Sequence, residues 1–268
     1  MIPMSMPFAL VTGASRGIGH EIAKNLLEKG YKVYGTSRHP ETLSDSEKIP
    51  GVEILPMDLL KTETIDTIIS RFDSLDLLVN NAGYSQIGSI EEISFERIQE
   101  IFDANLFSQI RLIKGFIPLM RRQQKGTIVN VTSMAALNPM PFSTIYAASK
   151  AAFDKITQGL RHELANFNIK VISIAPLYAN TAITQNQDYF DDSPYKIYIE
   201  QAKQNRRRQL NASVHPKVIA DQVMKIIDKK HPKFHYTTGK NAVLMGFLMR
   251  YLPQKTLENL IRKKFGLK

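Results

Sequence analysis

A chain of 268 residues with 43% hydrophobic content can bury one full α/β core, and no Pro/Gly/Ser-rich stretch long enough to act as a linker divides it. It holds no cysteine, which excludes disulfides, thiolate zinc sites and cysteine nucleophiles and makes a cytoplasmic setting the expectation. The net charge of +10 is uneven: residues 215 to 268 hold twelve Lys or Arg against Asp221, Asp228 and Glu258, a net of +9, leaving about +1 for the other 214 residues. A basic tail behind a nearly neutral body suggests a local surface contact rather than polyanion binding by the whole molecule. The first seven residues carry neither a basic n-region nor a long apolar h-region. Apolar runs stay short of the ~20 residues needed to cross a bilayer.

Phe8 to Val11 is a short apolar run of strand type, followed at once by Thr12-Gly13-Ala14-Ser15-Arg16-Gly17-Ile18-Gly19 and then a helical pattern through Ile22, Ala23, Leu26 and Leu27. Strand, glycine turn, helix is the order that matters. Glycines let the backbone pass close to a pyrophosphate, whose charge then meets the N–H groups and dipole at the helix start. The same segment without a ligand would be a tight strand-to-helix turn. Tyr31 to Thr36 reads as the second strand, ending at Ser37 and Arg38. An acidic residue there would bind the adenosine ribose hydroxyls and repel a 2′-phosphate. A guanidinium, with Arg16 from the glycine turn opposite, would embrace one, so NADP(H) is expected over NAD(H). Stacking of Arg38 on adenine is the competing role.

Val52 to Pro56 is a third strand, followed by Asp58 and Leu59 on the expected adenine side. Asp58 can accept a hydrogen bond from the adenine amino group or serve as a helix N-terminal carboxylate. Leu75 to Val79, the fourth strand, runs into Asn80-Asn81-Ala82-Gly83. Small amides and a glycine suit a strand end that bonds a neighbouring loop and leaves room for a sugar. Residues 94 to 123 carry one helical periodicity, in which Asn105 stands among apolar neighbours and needs partners. Thr127 to Thr132 is the fifth strand and ends at Ser133; Ile169 to Ala175 is the sixth and closes at Pro176. This alternation implies a single-domain Rossmann-type α/β fold, a doubly wound parallel sheet of about seven strands with helices on both faces and ligands at the strands' carboxyl ends. Gly13, Asn81, Ser133 and Pro176 all fall at that edge.

Between Ser133 and the sixth strand a helix carries Tyr146-Ala147-Ala148-Ser149-Lys150 and runs to about Asn166. Tyr and Lys four apart share a helical face. A phenol with a reference pKa of ~10 works poorly near neutrality, but an ammonium beside it favours the phenolate and draws it toward working pH. The pair reads as a tunable acid/base. Tyr236 and Lys240 repeat the spacing, but Val223 stands where the first pair has Ser133, so they are read as structural.

Together TGASRGIG, NNAG, Asn105, Ser133, YAASK and six strand-and-helix repeats resemble the short-chain dehydrogenase/reductase family, over residues 8 to about 185. The resemblance implies that Tyr146 is the general acid/base, that Lys150 lowers its pKa and holds the nicotinamide ribose, that Ser133 bonds the substrate oxygen and that Asn105 carries a water in the proton relay. It places Thr181 on the nicotinamide carboxamide and implies a homodimer or homotetramer through the Tyr146 helix and the one before it. The family usually has Pro-Gly where this chain has Pro176-Leu177, so a side chain at 177 would narrow the nicotinamide end.

From Leu177 to about Val214 the sequence reads as irregular, with Tyr178, Tyr189, Phe190, Tyr195 and Tyr198 ahead of Arg206-Arg207-Arg208. The resemblance makes 177–214 the substrate lid, its aromatics lining an apolar pocket or pinning the lid; the arginines are read as a solvated helix face. Pro216 to Asp228 is an amphipathic helix and Lys233 to Thr237 the seventh strand. Residues 238 to 268 form a tail, with Ala242 to Met249 apolar, Pro253 next and a basic helix to Lys264. Such tails resemble those of steroid and retinol dehydrogenase-like members. The tail is expected either to pack on the body or another subunit, or to touch a membrane surface. The chain is therefore expected to be an NADP-dependent oxidoreductase interconverting an alcohol and a ketone or aldehyde on a lipophilic small molecule. A 3-oxoacyl carrier-protein reductase and a non-catalytic NADP-binding sensor are the alternatives. Nucleic acid is not expected as a partner, since no recognisable module is present.

Overall fold

In the computed structural model the described residues are 6–138, 140–177, 185–187, 192–211, 213–239 and 241–267. Their strands are β1 (Phe8–Val11), β2 (Lys32–Ser37), β3 (Glu53–Pro56), β4 (Leu77–Asn80), β5 (Ser85–Ile87), β6 (Gly126–Val131), β7 (Ile169–Pro176), β8 (Gln185–Gln187) and β9 (His235–Thr238). Their helices are α1 (Gly17–Glu28), α2 (Thr62–Ser70), α3 (Phe95–Phe102), α4 (Ser108–Gln123), α5 (Thr144–Glu163), α6 (Lys196–Asn211), α7 (Pro216–Ile227), α8 (Ala242–Tyr251) and α9 (Gln254–Phe265). Seven strands form one sheet in the order β3-β2-β1-β4-β6-β7-β9, every pair parallel. The direction of winding reverses between β1 and β4, which opens a crevice at their carboxyl ends.

Strand period explains how both faces are covered. Ala9, Val11, Val79, Val129, Ile172 and Ile174 point into one core with Ile22 and Leu26 of α1 and Ile219 and Val223 of α7. The residues between them, Leu10, Leu78, Ile128 and Val171, point into a second core with Ile65, Ile68, Leu112, Phe116 and Phe153 of α2, α4 and α5. A sheet buried on both sides needs such near-continuous apolar runs. The expected strands are all present, with ends shifted by one or two residues.

The structure corrects two expectations and adds one feature. The periodic run 94–123 is interrupted: α3 passes through a π turn, Asp103–Phe107, into α4. The extra residue rotates Asn105 inward. The segment read as irregular, 177–214, contains the sixteen-residue helix α6, which buries Ile199, Ala202 and Lys203. Its sequence is rich in helix formers but too polar to show an apolar stripe. Finally, β5 and β8 pair in a small parallel ladder outside the main sheet, whose three-residue strands lack an apolar alternation.

A polar chain crosses the interior: Asn80 Nδ2 donates to Asn130 Oδ1 at 2.8 Å, Asn130 Nδ2 to Thr157 Oγ1 at 2.8 Å, and Thr157 Oγ1 to the Phe153 carbonyl at 2.7 Å. It fixes α5, and so Tyr146, against β4 and β6. Asn130→Ala leaves the buried Asn80 amide without its acceptor, so urea unfolding should show a loss of about 2–3 kcal/mol. A loss under about 0.5 kcal/mol would mean that the network does not position α5.

Candidate active site

The crevice begins with the glycine turn. Gly13 and Gly17 have φ of +67° and +64°, conformations that a side chain strains. A Cβ at Gly19 would stand 2.3 Å from the Gly13 carbonyl oxygen and 2.5 Å from Asn81 Nδ2, so α1 approaches the β1 end as closely as glycine allows. Arg16, the N-cap, gives no side-chain bond, and the first turn of α1 holds no acidic residue. Its leading N–H groups are left for an anion. The β4 end closes on this turn: Asn81 N and Ala82 N each donate to Thr12 Oγ1 at 2.9 Å, and Asn81 Nδ2 to the Thr12 carbonyl at 3.0 Å. These contacts fit a dinucleotide pyrophosphate.

A cleft of about 520 Å³ follows the edge. Of the residues expected at the site, Gly13, Ser15, Arg16, Gly17, Ile18, Ser37, Arg38, Leu59, Asn81, Ala82, Gly83, Ser133, Tyr146 and Pro176 line it. At one end Arg16 and Arg38 are exposed beside His39 and Glu47. Hydrogen bonds from Ser44, side chain first, hold the Glu47 carboxyl below its ordinary range, and Arg16 and His20 add to this. Arg38 Nη1 donates to Tyr84 OH at 3.2 Å, with its guanidinium 5.5 Å from that ring. Burial raises the Tyr84 phenol, and Arg38 opposes the shift. Sequence reasoning missed Tyr84 and Glu47, because neither stands in a motif.

The other end joins Ser133 and Tyr146 to Met134, Met140, Pro141, Leu177, Ala202, Leu210 and Phe265. Leu177 does line this end, and its N–H donates to the Thr238 carbonyl at 2.8 Å. Ser133 Oγ accepts from Ala135 N at 3.1 Å, which leaves its own hydrogen to donate. Phe265 was missed because α9 reads as a polar basic helix. Of the lid aromatics, Tyr178, Tyr189 and Phe190 lie outside the described residues, as does Thr181. Tyr195 OH donates to Glu91 at 2.6 Å and its ring lies 6.3 Å from Phe142, so it pins the segment to the body. Arg207 and Arg208 are exposed, as a solvated face requires, but Arg206 lines the cleft.

Behind the wall stand Gly19, Asp58, Asn105 and Lys150. The Asp58 carboxylate accepts from Leu60 N at 3.0 Å, forming a local turn before α2. Asn105 makes three side-chain bonds: Oδ1 accepts from Tyr84 N at 2.8 Å, while Nδ2 donates to the Tyr84 carbonyl at 2.9 Å and to Ser149 Oγ at 3.0 Å. Ser149 Oγ donates to the Tyr146 carbonyl at 2.8 Å. The π turn thus braces the first turn of α5. The buried Lys150 Nζ donates to the Val131 carbonyl at 3.1 Å, and burial lowers its pKa from 10.5 to about 8. A Cβ at Gly83 would lie 2.7 Å from Asn105 Oδ1 and 3.4 Å from Lys150 Nζ, so glycine there leaves room for both. Tyr236, of the discarded pair, lies in β9 with its hydroxyl accepting from Lys233 N at 2.7 Å; Lys240 lies outside the described residues.

A family model described as short chain dehydrogenase matches residues 7–191. A 3-ketodihydrosphingosine reductase of Bacteroides thetaiotaomicron is 30% identical over 274 residues, covering 97% of this chain and 98% of its own. A probable short-chain type dehydrogenase/reductase of Helicobacter pylori is 30% identical over 95% of this chain and 96% of its own. Among solved structures, a short-chain dehydrogenase from Streptomyces avermitilis superposes with a TM-score of 0.83 at 27% identity, covering 99% of this chain and 98% of its own. One from Burkholderia cenocepacia in complex with NADP gives 0.76 at 26% identity, with 96% and 97% covered.

Because the Lys150 pKa falls on folding, the unfolded chain binds the extra proton between pH 8 and 10.5, and stability from this group rises with pH across that window. Below pH 8 the buried charge costs its full amount. Lys150→Met should therefore stabilise the cofactor-free protein by about 2 kcal/mol at pH 7. The gain should shrink toward zero by pH 10.5, followed by denaturant midpoints across pH. A pH-independent difference would show that the ammonium is not the buried species.

Proposed function

The chain belongs to the short-chain dehydrogenase family, and from that premise we propose that it uses NADP(H) to interconvert an alcohol and a ketone on a lipophilic small molecule. The observation that carries this is the shared wall: Ser133 and Tyr146 stand in one cleft with the glycine turn and the two exposed arginines. Gly13 to Gly19 would hold the pyrophosphate and Arg16 and Arg38 a 2′-phosphate. A neutral Tyr84 phenol is a weaker partner for Arg38 than phosphate is. Asp58 would meet the adenine amino group, Lys150 the nicotinamide ribose and Thr181 the carboxamide. When bound, the cofactor supplies or takes up the hydride.

The chain's own groups manage the proton. Tyr146 gives it to the carbonyl oxygen or takes it from the hydroxyl, Ser133 donates to the same oxygen, and the Lys150 ammonium, still charged at neutral pH, favours the phenolate. Asn105, tied to Tyr84 and Ser149, braces the Tyr146 turn through Ser149 and would carry the relay water. The preference for a greasy substrate is supported by Met134, Met140, Leu177, Leu210 and Phe265 around the reacting end and by the similarity to a reductase named for a sphingoid ketone. The 177–214 segment acts as lid, and α5, with Ala148 exposed and Ala151 and Ala152 half-buried, would pair with α4 in a homodimer or homotetramer. The tail from residue 238 would contact lipid.

Screening long-chain ketones and alcohols while watching NADPH absorbance tests the reaction. An absence of turnover with intact NADPH binding would leave a non-catalytic nucleotide binder. Tyr146→Phe keeps the ring and removes the proton, so kcat should fall by ~10² or more while NADPH affinity stays within about twofold. Near-full turnover would remove Tyr146 from the mechanism. Arg38→Asp replaces attraction to a 2′-phosphate by repulsion, so the NADPH/NADH ratio of kcat/KM should drop by about tenfold or more. An unchanged ratio would mean that Arg38 does not face the phosphate.

A further inference from the structure

Helix α8 carries a stripe of exposed apolar side chains. Val243 is 75% exposed, Leu244 57%, Phe247 58% and Tyr251 64%, and positions 243, 247 and 251 recur every four residues, on one side of a helix. The Phe247 and Tyr251 rings meet at 4.6 Å, so the stripe is continuous. Its opposite side is the packed one: Ala242 is buried, and a Cβ on Gly246 would lie 3.5 Å from Thr237 of β9 and 3.7 Å from Met134. Met134 itself lines the reacting end of the cleft. Among the described side chains, α8 therefore packs Ala242 and Gly246 inward while Val243, Leu244, Phe247 and Tyr251 face outside, the reverse of what core packing would select.

Charge says what covers this face. From residue 229 to 268 the chain holds ten Lys or Arg and one acid, Glu258, and the helix that follows presents Lys255, Arg262 and Lys263 to the outside. Exposed apolar area flanked by cations, with acids nearly absent, is the composition of a segment that lies in the interface of an anionic bilayer. Ten residues of α8 reach about 15 Å, half the hydrocarbon thickness, and among the described residues no helix is long and apolar enough to cross a membrane. Contact would be with one leaflet.

We propose that the Val243, Leu244, Phe247 and Tyr251 face of α8 docks on an anionic lipid surface and so sets the substrate end of the cleft against the leaflet from which a lipophilic ketone is drawn. The proposal rests on the reading of the substrate as lipophilic. Docking itself can be measured without turnover.

The chain has no tryptophan, so Phe247→Trp places a single indole in the stripe. Its emission should shift to the blue with phosphatidylglycerol-containing vesicles at ~50 mM salt, stay unchanged with phosphatidylcholine alone, and revert at ~0.5 M salt. Flotation of the unsubstituted protein with the same vesicles should follow the same pattern. Val243→Ser combined with Leu244→Ser should weaken the partition by about tenfold without changing turnover of a short water-soluble ketone. The proposal is overturned if the unsubstituted protein stays unbound on anionic vesicles at low salt, or if the double variant binds as well as it does. It is equally overturned if the indole emission shifts with protein concentration in the absence of vesicles, which would assign the face to a second copy. Vesicle binding with no turnover on any ketone would remove the proposed reaction and leave the docking surface standing.

Discussion

The site depends on one unfavourable burial. An ammonium at Lys150 is held out of water beneath the catalytic edge, with the Val131 carbonyl as its hydrogen-bond acceptor, and its pKa falls to about 8. At neutral pH the group stays charged at a cost to the fold. In the proposed reaction that cost would supply a positive charge on the Tyr146 face of α5, in surroundings where water does not screen it. Much of the neighbouring structure holds this charge in place: Gly83 is without a side chain because Asn105 and Lys150 fill that space, and Asn105 is turned inward by the π turn.

The sheet order explains why the groups converge. Parallel strands deliver every βα loop to the same edge, and the reversal between β1 and β4 separates the first two helices on that edge enough to admit a dinucleotide. The β1 and β4 loops are joined by Thr12 and Asn81, the β4 and β6 strands by Asn80 and Asn130, and β6 to α5 by Asn130 and Thr157. The first two step from β1 to β4 to β6 along the sheet, and the third passes from β6 to α5. Together they link the glycine-turn end of β1 to the Tyr146 helix.

The seven strands were legible because each is a short apolar run bounded by polar, glycine or proline residues, such as Gly13, Ser133 or Pro176. The Tyr146 and Lys150 pair was legible from spacing and from its context with Ser133. What sequence hid was of another kind. A π turn adds one residue to a helix whose periodicity otherwise continues, so Asn105 could be seen to need partners but not to find them in Tyr84 and Ser149. Helix α6 and Phe265 belong to a layer where most side chains meet water, and there the apolar pattern is too sparse to mark either the helix or the one residue that turns inward. Glu47 reaches the cleft from an irregular loop, where no period exists to read.

That difference in legibility has a physical counterpart in how firmly each end of the cleft is built. The cofactor end rests on buried strands and glycine contacts that allow no added carbon. The substrate end is closed by α6 and α9, whose meeting rests on Phe265, on a bond from Asn205 Nδ2 to the Lys264 carbonyl at 2.9 Å and on Gly266 beside Gln201. Among the described residues α6 also buries Ile199, Ala202 and Lys203, so this wall is built from helices rather than from sheet. In the proposed reaction the strand-built half would hold the proton-handling groups and the helical half would bound the substrate.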